Sequence, residues 1–263
     1  MPKSQSLWVL VAIGLLGGVL SGLLGVGGGI IMIPLMTWLL RLRQHAAHGT
    51  SLIIIIPTAT AAFARYLFAE AIEWGVVLAL AATAIGFAIV GARLTARINA
   101  HVLRRLFALL LLATSVRLFV SLEGAAVAHP EGVLLIGVAL IAGAFTGLVS
   151  GTMGVGGGIV MVPAMVIFMG IDQHVAQGVS LAVIVPTAIS GGVQHYRMGN
   201  VVTRVASGVT IGGVAGGLLG AQLAQWLPEA ALRIIFAAVA LYSAQRMLGV
   251  QAWVTKRLRA VSV

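Results

Sequence analysis

The chain contains its own sequence twice. Ser21-Gly-Leu-Leu-Gly-Val-Gly-Gly-Gly-Ile-Ile-Met-Ile-Pro34 returns as Ser150-Gly-Thr-Met-Gly-Val-Gly-Gly-Gly-Ile-Val-Met-Val-Pro163. The match continues without a net shift. His45 falls on His174, Gly49 on Gly178, Ser51 on Ser180, Pro57-Thr58 on Pro186-Thr187, Arg104 on Arg233 and Arg117 on Arg246. Any fold must therefore be one unit used twice, with repeats over residues 1–127 and 128–263.

Each unit is too apolar to cover itself with a water-facing surface. The chain is 60% hydrophobic and 8% charged, where a soluble domain carries about 25% charged residues. Residues 7–40, 49–64, 74–92, 106–116, 133–169, 178–193, 205–227 and 231–245 are nearly free of charge. These runs predict an all-α polytopic membrane protein. No cleavable signal peptide is expected, because no small-residue cleavage site leads into a polar mature domain. The absence of cysteine excludes disulfides, iron–sulfur clusters and thiolate metal sites. The net charge of +10 reads as a cytoplasmic excess of Lys and Arg, not as a nucleic-acid surface.

The runs 7–40 and 133–169 are too long for one simple span, and each holds a triple glycine. If each run were one span, the two sides of the membrane would carry 9 and 7 basic residues, which favours neither orientation. If the glycines turn the chain back, three full spans follow and the repeats become inverted. One side then holds Lys3, Arg41, Arg43, Arg93, Arg97, Arg104, Arg105, Arg197, Arg204, Arg246, Lys256, Arg257 and Arg259, and the other only Arg65, Arg117 and Arg233. The positive-inside rule selects this second threading, with both termini cytoplasmic. Each inverted repeat is expected to be a glycine-broken or re-entrant helix pair plus three spanning helices.

The glycines are also the chemical centre of the reading. A helix interior loses about 1 kcal/mol for each glycine, so Gly25-Val-Gly-Gly-Gly29 and Gly154-Val-Gly-Gly-Gly158 should end one helix and start another. Broken backbone at membrane depth is tolerated where it is buried in protein or lines a cavity. The amides of Gly25, Gly27, Gly28 and Gly29, and of Gly154, Gly156, Gly157 and Gly158, are the expected donors to an anion at a restarting helix. Gly14, Gly18 and Gly22, with Gly143, Gly147 and Gly151, fit close helix packing instead.

A second duplicated element runs from Gly49 to Thr58 and from Gly178 to Thr187. Pro57 and Pro186 are expected kinks. Ser51, Thr58, Ser180 and Thr187 are candidate substrate hydroxyls, with bonding to their own helix backbone as the competing role.

With these residues in place, the chain resembles the sulfite exporter TauE/SafE family. The resemblance rests on the duplicated G-x-x-S-G-x-x-G-V-G-G-G-x-x-x-x-P pattern at Gly18–Pro34 and Gly147–Pro163, with the following Gly-x-Ser and Pro-Thr pairs. It implies a bacterial inner-membrane protein that moves small sulfur-containing anions such as sulfite or organosulfonates. The expected activity is secondary transport by alternating access, with an anion channel of the same architecture as the alternative.

Arg65, Arg117 and Arg246 lie near span ends, where snorkelling to the interface competes with a place on an anion path. His45, His48, His174 and His195 are candidates for a coupling proton. His45 and His174 fall in short loops and read as solvated, whereas His48 and His195 sit closer to span ends. Broken-helix carbonyls could instead hold sodium, so the coupling ion, proton or sodium, stays open, as does a homodimer. No cofactor, metal or nucleic acid is expected. Ser21-Gly22 and Ser150-Gly151 superficially match a serine nucleophile, but they belong to the packing pattern, and no enzymatic activity is expected.

Overall fold

The computed structural model describes residues 6–94, six residues between 108 and 116, and residues 130–248. The basic residues Lys3, Arg97, Arg104, Arg105, Arg117, Lys256, Arg257 and Arg259 lie outside the described residues, as do five of the eleven residues of the third span expected in the first repeat, 106–116. The regular secondary structure of the described residues is all helical. The first repeat contributes α1 (Leu7–Leu24), α2 (Gly29–Leu39), α3 (Gln44–Ala69) and α4 (Trp74–Leu94). The second contributes α5 (Gly132–Met153), α6 (Gly158–Ala164, continued by a π-helical turn Met165–Met169), α7 (Gln173–Arg197), α8 (Thr203–Trp226) and α9 (Glu229–Leu248). Six of these, α1, α3, α4, α5, α7 and α8, are long and apolar enough to cross a membrane.

The long opening runs are broken at the triple glycines. α1 ends on Gly25 with φ +68°, and α2 starts after Gly28 with φ +75°. α5 ends on Gly154 with φ +66°, and α6 starts after Gly157 with φ +82°. An L-residue with a side chain pays to enter this left-handed region, and glycine does not. The chain then doubles back. A Cβ on Gly28 would sit 2.3 Å from the carbonyl oxygen of Gly17, and one on Gly17 would meet the side chain of Met32. α2 thus folds against the last turns of α1, as a short arm of eleven residues.

The repeats pack into each other rather than side by side. α1 lies along α8 with the backbones nearly touching: Cβ atoms on Gly14, Gly18 and Gly22 would fall 1.9, 2.3 and 2.2 Å from the carbonyl oxygens of Val209, Gly213 and Gly217. From the opposite helix, Gly212, Gly216 and Gly220 stand equally close to the carbonyls of Val11, Leu15 and Val19. The same seam recurs between α4 and α5, where Gly143, Gly147 and Gly151 meet the carbonyls of Leu80, Ala84 and Ala88. Lipid tails supply no hydrophobic drive between helices, so such close backbone approach is what holds them together.

Helix directions follow from these contacts. Positions rise together along α1 and α8, so those helices run parallel. α3 and α7, which are repeat equivalents, run antiparallel: Gly49 meets His195, Leu52 meets Gly191, and Tyr66 meets Gly178.

Candidate functional site

The two glycine turns meet at the centre of the molecule. A Cβ on Gly29 would lie 2.7 Å from the Cα of Val155, and one on Gly158 would lie 2.3 Å from the carbonyl oxygen of Gly25. All ten residues from Gly25 to Gly29 and from Gly154 to Gly158 are buried. Beneath the contact lie Ile55 and Ile184, themselves repeat equivalents. Only Gly27 and Gly156 have room for a methyl group, with neighbours at 3.4–3.5 Å.

The turns carry a concentration of unused donors. The Gly25 amide bonds the Ser21 carbonyl at 2.9 Å, and the Ile31 amide bonds Gly28 at 3.2 Å. Between them, the amides of Val26, Gly27, Gly28, Gly29 and Ile30 make no hydrogen bond among the described residues. The second turn repeats this: Gly154 bonds Ser150 at 2.8 Å and Val160 bonds Gly157 at 3.0 Å, leaving the amides of Val155 to Ile159 unused. Buried amides without partners are rare, and each costs about 1–3 kcal/mol. Successive amides in left-handed turns form an anion-binding concavity.

The candidate hydroxyls divide. The Ser51 hydroxyl lies 2.6 Å from the carbonyl of Gly154 and 2.8 Å from that of His48, with one proton to share between them, and Ser180 donates to the carbonyl of Gly25 at 2.7 Å. Each serine therefore secures the glycine turn of the other repeat. Thr187 donates to Val183 in its own helix at 2.7 Å, the competing role that threonine plays in helices. The Thr58 hydroxyl is buried without a partner and lies against Gly213. Pro57 and Pro186 sit inside continuous helices, where each withdraws one amide from its helix. Among the described residues, the buried hydroxyls of Ser21 and Ser150 have no hydrogen-bond partner.

Two further pairs flank the turns, and they are repeat equivalents. The Tyr66 hydroxyl lies 2.9 Å from the Gly22 carbonyl and 2.8 Å from the Gln177 side-chain oxygen. At the matching place, His195 Nε2 lies 3.0 Å from the Gly151 carbonyl, and His48 occupies the position of Gln177. Sequence reasoning singled out the histidines and missed Tyr66 and Gln177. The signal was available, since 66 + 129 = 195 and 48 + 129 = 177 under the repeat offset (150 − 21 = 129). His45 is exposed. His174, expected to be solvated, is half-buried and reaches the Ala224 carbonyl at the end of α8 at 3.1 Å. Arg65 bonds Gln222 on α8 at 2.5 Å.

Membrane-crossing helices around two buried, facing helix breaks define a multi-pass membrane protein of the transporter type. The chain belongs to the sulfite exporter TauE/SafE family, whose model matches residues 1–118 and 133–261. Similar proteins include the probable membrane transporter protein YdhB of Bacillus subtilis, 28% identical over 86% of this chain and 93% of its own. The probable membrane transporter protein MJ0441 of Methanocaldococcus jannaschii is 25% identical over 88% and 91%. A probable membrane transporter protein of Xylella fastidiosa is 31% identical over 84% and 85%.

Proposed function

We propose that the protein is a secondary transporter that carries a small anion, a sulfur oxyanion or organosulfonate, across the bacterial inner membrane. The carrying observation is the set of unused amides at the two facing glycine turns. A negatively charged oxyanion is the ligand that such donors favour. The uncharged surroundings, Ile55 and Ile184, leave the main chain as the source of recognition.

The mechanism that fits is alternating access between inverted repeats, 1–127 and 128–263, with both termini cytoplasmic. Two features support it: repeat-equivalent helices α3 and α7 run antiparallel, and each repeat grips the turn of the other. Paired broken helices facing a common site are the arrangement of inverted-repeat transporters. The turns are pressed together here, so the anion enters when they part, and closure around it commits it to the other side. This gating supports a transporter over a permanently open channel.

The test is flux into proteoliposomes with radiolabelled sulfite, thiosulfate and sulfonates. A transporter gives saturable uptake that accelerates when the same anion is preloaded on the far side. Uptake that rises linearly with concentration and ignores preloading would indicate a channel. Uptake of none of these anions would remove the substrate class.

A further inference from the structure

The repeats differ in one place where they should match. Both α1 and α5 end beside a glycine turn, and their last carbonyls need donors from elsewhere. In one half Tyr66 satisfies the Gly22 carbonyl and bonds Gln177. In the other, His195 satisfies the Gly151 carbonyl, and His48 stands where Gln177 does. A tyrosine–glutamine pair holds the first corner with groups that keep their protons across the neutral range. A histidine pair holds the second with rings that each keep a nitrogen able to bind a proton.

The hydrogen bonding fixes which nitrogen is vacant. His195 Nε2 points at a carbonyl oxygen, so it carries the proton and Nδ1 is left as the bare acceptor. That buried Nδ1 has no partner among the described residues, and neither has Nδ1 of His48. His195 is 0% exposed. The main chain of Thr152 lies against His48, so both rings sit at the C-terminal end of α5, where exposed carbonyls favour a cation. The titratable group facing the pair from nearby is His45, exposed on the first turn of α3; the contacts from α5 are main chain. A buried ionisable ring such as His195 is costly inside a membrane protein unless it serves a function, and its partner His48 is half-buried.

We propose that His48 and His195 form a proton-binding site that latches the second glycine turn. The site is wired to the turn directly. The backbone of His48 packs on Gly154, and Ser51, one helical turn further along α3, accepts no proton but holds the Gly154 carbonyl. Adding a proton puts a positive charge between α3, α7 and the end of α5, and the contact between the repeats changes there and not at the Tyr66 corner. His45, one helical turn earlier on α3, is exposed. This inference rests on the transport reading for its purpose, but the proton site is testable without any substrate.

The experiment uses full-length protein with 15N-labelled histidine in phosphatidylethanolamine–phosphatidylglycerol nanodiscs. Side-chain nitrogen signals are followed between about pH 4 and pH 8, with H48Q and H195Y assigning the two rings. The account expects one ring to take up a proton, and its titration to move when the other is replaced. The paired variant H48Q/H195Y copies the Gln177–Tyr66 corner, so it keeps a native set of partners. The chain has no cysteine, so Val155→Cys reports opening of the turn through labelling by a membrane-impermeant maleimide. The ratio of labelling rates in the histidine and swapped backgrounds cancels the thiol's own ionisation. It should change about tenfold across the histidine titration, a shift of about 1.4 kcal/mol in the opening equilibrium. Absence of proton uptake by both rings would overturn the site, and a constant ratio would overturn the latch. Failure of anion flux would instead count against the transport reading alone.

Discussion

Ser180 Oγ donates to the carbonyl oxygen of Gly25 at 2.7 Å across the boundary between the repeats. Its equivalent, Ser51, does the same for Gly154 at 2.6 Å. Each hydroxyl satisfies a carbonyl at the end of a broken helix. The serines hold the turns in position, and the glycine amides are left without partners among the described residues. Residue meeting residue in both directions is the signature of two-fold packing. Here it makes each turn dependent on the other repeat.

Ser180→Ala should leave the Gly25 carbonyl buried without a donor, at a cost of about 1–3 kcal/mol. Ser51→Ala should cost a similar amount, and the double variant should deviate from the sum because both serines brace one contact. Thermal unfolding in detergent measures all three. Additive losses near zero would mean that the hydroxyls do not hold the turns.

The glycines of a turn should not be equivalent. Gly27→Ala meets only ordinary contacts at 3.4 Å, though its φ of +80° is unfavourable to alanine, so it should cost about 1–2 kcal/mol and fold. Gly28→Ala adds a methyl 2.3 Å from the Gly17 carbonyl to the same strain, and should fail to accumulate as folded protein. The pair Gly156→Ala and Gly157→Ala should repeat the ranking. Fluorescence size-exclusion profiles from membranes read it out.

Helix glycines should split in the same way. Gly18→Ala would press a methyl to 2.3 Å from the Gly213 carbonyl and force α1 away from α8. Gly86 on α4 has nothing within 4 Å among the described residues, so Gly86→Ala should stabilise by about 0.5–1 kcal/mol through helix propensity alone. Melting temperatures of the two variants should therefore move in opposite directions.

Much of this architecture was legible in the sequence. The break was readable because three glycines in an apolar run leave a helix little choice, and the structure places left-handed backbone at Gly25, Gly27 and Gly28 and again at Gly154, Gly156 and Gly157. The spacing of Gly14, Gly18 and Gly22 marked a packing seam, but not its partner, because the seam joins α1 to a helix of the other repeat. The targets of Ser51 and Ser180 were hidden for the same reason: a hydroxyl's acceptor depends on which repeat lies opposite. Tyr66 went unnoticed because its equivalent is a histidine, and the likeness of a phenol to an imidazole lies in what each bonds, a carbonyl at a helix end.

Ligand-dependent thermal stabilisation of the purified protein tests the central claim most directly. The probes are sulfite, sulfate, thiosulfate, sulfonates, carboxylates and simple cations. An anion held by the glycine amides at 100 times its dissociation constant adds about 2.7 kcal/mol to stability. The account predicts selective stabilisation by a sulfur oxyanion or sulfonate, reduced by Gly27→Ala and Gly156→Ala. Stabilisation by cations alone, or by anions equally well in both glycine variants, would contradict it.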